Sequence, residues 1–428
     1  MEEVYKILKV LLIGSGGREH ALAWKISKSP LLSEIWSIPG NPGIAEHAQC
    51  ASIDLQDNAA IVKFCQEKRI DLIVVGPELP LVNGISDELN AAGFDVFGPS
   101  KAAAQLEASK AFTKNFCEKY DIPTAKYRHF SDKKMANDYV KKQKMPIVIK
   151  ADGLFAGKGV VVATNLDEAL AAIDRCFNQI NSTIVIEEYL EGFEISFFAI
   201  CDGNTAIPFA TARDHKRVGD GDKGKNTGGM GAYSPASGIS KELYSQIIKS
   251  IIDPTIDGMK KEGTPFKGVL FAGLMITDKG PYLIEYNVRF GDPECQVMMM
   301  RLKSDILQIF ISCIKGKLED TEIDWLKEYA LTVVVAANGY PDNYVKGSKI
   351  EAIPKEKANS KLFHAGTKII DNCLVANGGR VLGATTLGKT IQEARENAYK
   401  MINDIKWENG FWRTDIGLSA INKNLKNN

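Results

Sequence analysis

Pro146-Ile147-Val148-Ile149-Lys150-Ala151-Asp152-Gly153-Leu154-Phe155-Ala156-Gly157-Lys158-Gly159-Val160-Val161-Val162 is the stretch that decides how this chain folds. An apolar run delivers Lys150 to its end, a loop with three glycines and a second lysine follows, and an apolar run returns. Simple hairpins prefer turns of about two to five residues and seldom need two lysines. The pattern reads instead as a lid: two antiparallel strands whose loop folds over a nucleotide and lays its amides, with Lys150 and Lys158, on the phosphates.

Upstream, short apolar strands at 10–13, 35–38, 72–75 and 96–97 alternate with helical segments at 19–28, 59–68 and 85–92. Apolar strands between amphipathic helices imply a doubly wound parallel sheet, which the turn Gly98-Pro99-Ser100 ends. Downstream of the lid come a helix at 166–177, strands at 183–187, 194–201, 269–277 and 281–286, and a long polar loop at 213–233. Strands at 330–336 and 378–386 and a helix at 390–402 close the chain. The expected architecture is α/β and α+β in three domains, 1–108, 109–325 (with a lid subdomain at about 123–192) and 326–428.

Composition excludes several classes. The 428 residues are 45% hydrophobic and 25% charged, an ordinary globular mixture. Lys+Arg and Asp+Glu both total 53, so no net field draws the chain to nucleic acid or anionic membrane. No apolar run approaches the ~18 residues of a membrane span, and the N-terminus lacks signal-peptide grammar, so a cytoplasmic protein is expected. Eight scattered cysteines without C-x-x-C and five histidines without ligand spacing predict neither a disulfide framework nor structural zinc.

Two further glycine loops need sorting. Gly14-Ser15-Gly16-Gly17-Arg18-Glu19-His20 follows a strand and opens a helix, which suits a single phosphate. As a nicotinamide fingerprint it fails, because Glu19 stands at the third glycine and the second strand ends in Ile38-Pro39-Gly40-Asn41 without an acidic residue. Gly219 to Lys225 matches G-x-x-x-x-G-K, but Asn226 replaces the magnesium-binding Ser or Thr and no apolar strand precedes it, so it is not a P-loop. It runs on through Asn226, Thr227, Gly228 and Gly229, residues that line polar sites.

In Tyr282-Leu283-Ile284-Glu285-Tyr286-Asn287-Val288-Arg289, strand periodicity puts Glu285, Asn287 and Arg289 in one row. A carboxylate and an amide oxygen suit magnesium, with nucleotide phosphates completing the shell and Arg289 neutralising developing charge. The strand end at Glu187, Glu188 and Leu190 reads equally as an adenine and ribose edge or as a plain hinge.

These segments, in this order, resemble the ATP-grasp ligases and, within them, the phosphoribosylamine–glycine ligase family of purine biosynthesis. The resemblance spans nearly the whole chain. It rests on Gly14-x-Gly-Gly-Arg-Glu-His20, Pro39-Gly-Asn41, Val75-Gly-Pro-Glu78, Phe97-Gly-Pro99, Ser109-Lys-Ala-Phe112, Lys150-Ala-Asp-Gly153, Ala156-Gly-Lys-Gly159, Asp214-His-Lys-Arg217, Asn226-Thr-Gly-Gly-Met-Gly-Ala-Tyr233 and Arg289-Phe-Gly-Asp-Pro-Glu294. Phe155, Lys225 and the extension at 1–7 depart from the family pattern.

The resemblance implies an N-terminal substrate domain, a central ATP-grasp fold and a small C-terminal α+β domain. It implies an enzyme that uses ATP and Mg2+ (or Mn2+) to join glycine to 5-phosphoribosylamine through glycyl phosphate, with no obligate protein partner. Lys110, Lys150, Gly153, Gly157, Lys158 and Gly159 are then expected on the phosphates, and Glu187, Glu188, Leu190 and Glu194 around adenine and ribose. Glu285 and Asn287 are expected on the metal. Gly16, Gly17, Arg18, Asn41, Pro77 and Glu78 would face phosphoribosylamine. Asp214, His215, Lys216, Arg217, Asn226, Thr227, Gly228, Gly229 and Glu294 would complete the amine and glycine pockets, and Arg289, Lys158 and Asp292 would carry the catalytic roles. His129 is expected to be incidental.

Overall fold

The computed structural model describes residues 7–155, 159–178 and 183–421. Its first unit is a five-stranded parallel sheet in the order Gln49–Cys50, Leu32–Pro39, Leu8–Gly14, Leu72–Val75, Asp95–Phe97. The central strand Leu8–Gly14 is apolar on both faces because helices cover both, including Gly17–Ile26 and Asn58–Lys68. The chain reverses direction across the sheet between Leu8–Gly14 and Leu72–Val75, and the crevice at the carboxyl ends of those strands is where such sheets present ligand-binding loops. Arg18 and Glu78 follow those two strands.

The second unit is a four-stranded antiparallel sheet in the order Tyr127–Phe130, Ile184–Glu188, Ile147–Ala151, Val160–Ala163. Helices Lys133–Val140 and Leu166–Phe177 cover one face, through a small core of Ile147, Ile149, Ala172, Ile173 and Ile186. The other face is left for the cleft.

The third element is a nine-stranded sheet. Its path runs Gly280–Asn287, Lys267–Thr277, Phe193–Asp202, Ala206–Asp214, Gly231–Ser234, Tyr329–Ala337, Arg380–Gly388, Ser360–His364, with Gly410–Phe411 paired to Tyr329–Ala337. Helix Glu294–Arg301, buried at every position, packs against helix Gly17–Ile26 and under this sheet. One apolar core joins Val10 and Leu12 of the first unit, Phe198 and Met298 of the second half, and Phe363 near the C-terminus. Phe97 and Phe310 stack there at 3.9 Å between ring centroids, and truncating such a ring to Ala typically costs ~3–5 kcal/mol.

Two expectations need correction. The segment at 213–233 is not a loop: it contains the hairpin Arg217–Gly219/Lys223–Asn226 and the sheet strand Gly231–Ser234. Gly, Asp and Lys hide strand character because the pairing is backbone-only, and the hairpin is anchored from outside by Arg413 on Asp222 and Thr414 on Asp220. The first helix starts at Gly17 rather than 19, because Glu19 sits at its third position and its carboxylate accepts the Gly16 amide at 2.6 Å. Among the described residues no helix is long and apolar enough to cross a membrane.

Candidate active site

A cleft of about 760 Å³ opens between the four-stranded sheet and the nine-stranded sheet. Its floor is strand Gly280–Asn287. Tyr286 is buried and paired with Thr255, so its neighbours Glu285 and Asn287 turn the opposite way, onto the cleft wall. Among the described residues no hydrogen bond engages either side chain, and the nearest charge to Glu285 is Lys216, 3.9 Å away. An irregularity in the pairing of this strand at Ile284 frees its carbonyl, which accepts from Lys150 Nζ at 3.2 Å.

Lys150 comes from the end of strand Ile147–Ala151, as the sequence implies, and Lys110 from the start of helix Lys110–Lys119. Asp152 ties the two together by accepting the Lys110 amide at 2.6 Å, and Lys110 Nζ donates to the Gly153 carbonyl at 2.8 Å. Glu187 is not simply an edge residue. Its buried carboxylate is held between Lys150 at 2.9 Å and Lys114 at 3.1 Å, which leaves one net positive charge for a phosphate. Burial first, and then Lys150, pull the Lys114 ammonium below its usual range against the opposing effect of Glu187. Lys114 was missed in the sequence although it lies one turn after Lys110 on the same helix face.

Glu188 and Leu190 line the cleft, with the Glu188 carboxylate accepting the Lys126 amide at 2.9 Å. Glu194 binds Lys216 at 2.8 Å. Burial would lower the Lys216 ammonium, but Glu194, Glu285 and Asp214 outweigh it and hold it charged. Val148, Val160, Val162 and Leu283 supply apolar wall that the sequence reading did not single out. Gly153 lies on the wall with φ +120°, and Gly159 sits under the Phe155 ring, off the wall. Gly157 and Lys158 lie outside the described residues.

On the N-terminal side, Arg289 bonds Glu78 at 3.0 Å and Glu107 at 2.8 Å. Burial alone would raise Glu78, but Arg289 and Arg18 pull it down to about 2. Burial pushes Glu107 up to about 6, against the pull of Arg289. Arg18 is committed to Glu19 at 2.6 Å and to the Phe290 carbonyl at 3.0 Å.

The glycine loop is therefore not an open phosphate cradle. Glu19 takes the Gly16 amide and packs where a Cβ on Gly14 or Gly76 would stand, and Gln296 covers Gly17. Asn41 spends its amide on the carbonyls of Ser15 and His364, at 2.8 and 2.9 Å, joining the first unit to the last. Gly16, Gly17, Asn41 and Pro77 are off the cleft wall, whereas Arg18 and Glu78 are on it.

At the far corner, Asp214 accepts the His215 amide at 2.7 Å and Glu294 accepts from Ser196 at 3.0 Å. Burial, then the Glu294 carboxylate, raises Asp214 well above the usual carboxylate range, and burial raises Glu294. Gly229, at φ +114°, has no room for a Cβ, since Asp214 Oδ1 would lie 2.6 Å from it. Gly229 itself is off the wall; Arg217, Asn226, Thr227 and Gly228 are on it. His215 has both ring nitrogens near backbone, the Gly231 carbonyl at 3.3 Å and the Gly417 amide at 3.4 Å, and burial pulls it down to about 4, so it is a neutral structural ring. Asp292 is held down by Arg380 and Arg18 against the opposing effect of burial. Arg380, not among the residues expected in the site, lies 3.5 Å from Asp292 and bonds the carbonyls of Gly228 and Asp292 at 2.6 Å each.

Family models for phosphoribosylglycinamide synthetase match in order along the chain: the N domain at 8–107, the ATP-grasp (A) domain at 108–295 and the C domain at 330–419. The phosphoribosylamine–glycine ligase of Agrobacterium fabrum is 58% identical over 97% of this chain and 99% of its own length. The chain belongs to the phosphoribosylglycinamide synthetase family.

Its structure is similar to that of Thermotoga maritima phosphoribosylamine–glycine ligase, with a TM-score of 0.83 at 34% identity over 96% of this chain and all of that one. The biotin carboxylase of Campylobacter jejuni shares the fold alone, with a TM-score of 0.75 at 15% identity over all of this chain and 98% of that one. The three-part architecture and the ATP-grasp fold expected from the sequence are those of the family.

Outside the cleft, this synthetase-family chain brings His20, Glu46 and His47 within 4.8 Å of one another. His20 Nδ1 accepts the His364 amide at 2.8 Å, so the proton of the neutral ring is on Nε2, and that nitrogen has no lone pair to offer a cation. Lys361 already lies 3.4 Å from Glu46.

Proposed function

We infer that the chain uses ATP to join glycine to 5-phosphoribosylamine through glycyl phosphate, giving glycinamide ribonucleotide, ADP and phosphate. The observation that carries this reading is one cleft whose wall brings Glu285 and Asn287 together with Lys150 of the four-stranded sheet and Lys110 of helix Lys110–Lys119, in a chain of this family. A cytoplasmic enzyme acting on small molecules follows from it.

Glycine carboxylate is a poor electrophile, so its oxygen first takes the γ-phosphoryl group: a P–O bond to the carboxylate forms as the bond to the ADP oxygen breaks. Lys110 and Lys150 would hold the phosphates, and Arg289 would neutralise charge on the transferring group. Glu285 and Asn287 offer hard, uncommitted oxygens, a donor set that fits magnesium or manganese; bound there, the ion would supply positive charge to the phosphates. The amine nitrogen of phosphoribosylamine then attacks the acyl carbon, phosphate leaves, and the nitrogen sheds one proton. Asp214 and Glu294, raised by burial, would hold the ammonium and take that proton. A closed lid excludes water, which otherwise hydrolyses glycyl phosphate.

The test is ADP release by the purified chain with ATP, Mg2+ and phosphoribosylamine generated in place, with and without glycine. Release that requires glycine supports the reading, and release indifferent to glycine removes it.

A further inference from the structure

Glu107 has no part in the roles above, yet it is the most tightly enclosed carboxylate on the N-terminal wall. It lies in the short helix Gln105–Ala108, where the matches to the N and A domains of the family meet, with its side chain 7% exposed. Oε2 accepts the Val288 amide at 2.8 Å and Oε1 meets Arg289 Nη2 at 2.8 Å. The same guanidinium is held by Glu78 through Nε at 3.0 Å and by the Phe290 carbonyl through Nη1 at 3.3 Å. Arg289 is therefore fixed on three sides, and Glu107 grips both its side chain and the backbone amide of the preceding residue, Val288.

A buried ion pair is often no more stable than apolar packing of the same volume, so stability alone is a weak reason for this arrangement. Orientation is a better one. Arg289 lies two residues past the end of strand Gly280–Asn287, on the same cleft wall as Glu285 and Asn287, and a free arginine would have to give up rotamer freedom at the moment of reaction.

We propose that Glu107 is a positioning residue: it fixes the Arg289 guanidinium on the cleft wall that also carries Glu285 and Asn287, in the geometry that meets the transferring phosphoryl group. Glu107 makes and breaks no bond itself. The proposal rests on the ligase reading.

The test uses the full chain in steady state. For Glu107→Gln, kcat should fall ~10²-fold while KM for ATP and for glycine stay within about twofold, because only pre-organised charge stabilisation is lost. In an Arg289→Lys background the same change should add less than about threefold, since residues acting as one unit are non-additive. An unchanged kcat, a loss confined to KM, or a full second loss in the Arg289→Lys background would overturn it. If Glu107→Gln does not fold, Glu107→Asp keeps the charge but withdraws it by one methylene, and kcat should fall about tenfold. An unchanged kcat there, or a chain that folds with neither residue, makes Glu107 structural and ends the proposal. A wild-type chain without glycine-dependent ADP release would instead end the ligase reading.

Discussion

On the N-terminal wall of the cleft Glu78 and Glu107 close on Arg289, at 3.0 and 2.8 Å. In the opposite corner burial and then Glu294 raise Asp214, while Lys216 is taken by Glu194 at 2.8 Å and Arg380 lies 3.5 Å from Asp292. Both regions bury carboxylates. The first closes both on one guanidinium and so holds that cation in place before any ligand arrives. In the second, among the described residues, no Lys or Arg nitrogen lies within 4.0 Å of the Asp214 or Glu294 carboxylate, and a substrate ammonium would fill that place. Buried charge can thus serve pre-organisation or recognition, and the partner of each carboxylate tells which.

The largest expected effect lies between the two regions. Glu285→Ala should lower kcat ~10³-fold with little change in Tm, since it removes the carboxylate assigned to the metal, whereas His129→Ala should leave turnover unchanged. Equal activities would make the contrast across the cleft irrelevant to catalysis. Next, Asp214→Asn should lower kcat/KM for glycine or for phosphoribosylamine ~10²-fold, leaving KM for ATP within about twofold. A loss expressed in ATP binding would show that the corner does not recognise an amine.

Stability against pH separates the regions by sign. Glu78 is depressed from 4.5 to about 2, so its contribution is present above pH 4.5 and lost as pH falls toward 2. Glu78→Gln should therefore cost on the order of 2 kcal/mol near neutrality, and thermal melts should show the gap from wild type closing with acid. Asp214 is raised, so the folded state keeps a proton that the unfolded chain has lost, and its contribution falls as pH rises from its ordinary 3.8. Asp214→Asn should then gain in Tm relative to wild type as pH rises over that range. Parallel curves for the two variants would erase the distinction. The smallest effect is the control: Lys225 meets Asp342 at 2.8 Å, but both are well exposed. Lys225→Ala should shift Tm by no more than about 1 °C.

The alternation of apolar strands with helices made the first sheet legible, because strands buried on both faces leave a continuous apolar signature such as Leu72–Val75. That Glu285 and Asn287 share the cleft face was legible for a related reason: they obey the two-residue period of a strand. What escaped was contact between distant segments. Glu107 reaches Arg289, and Arg380 reaches Asp292, across sequence separations that no local period encodes. The glycines after strand Leu8–Gly14 promised exposed amides, but Glu19, three residues on, fills the space they leave. A carboxylate at the third helical position is itself a capping signal, and it outweighed the glycine pattern.

The nine-stranded sheet crosses from Gly231–Ser234 to Tyr329–Ala337 without a seam, pairing Tyr233 with Leu331 and Ser234 with Ala330. Its middle ladder is built from both sides of the gap between the A and C domain matches, at 295 and 330. Chimeras spliced in that gap would leave half the ladder facing a stranger. In this lineage the segment from residue 330 on should therefore be exchangeable only together with the strand it lies beside, so grafting, natural or engineered, has to move the two as one block.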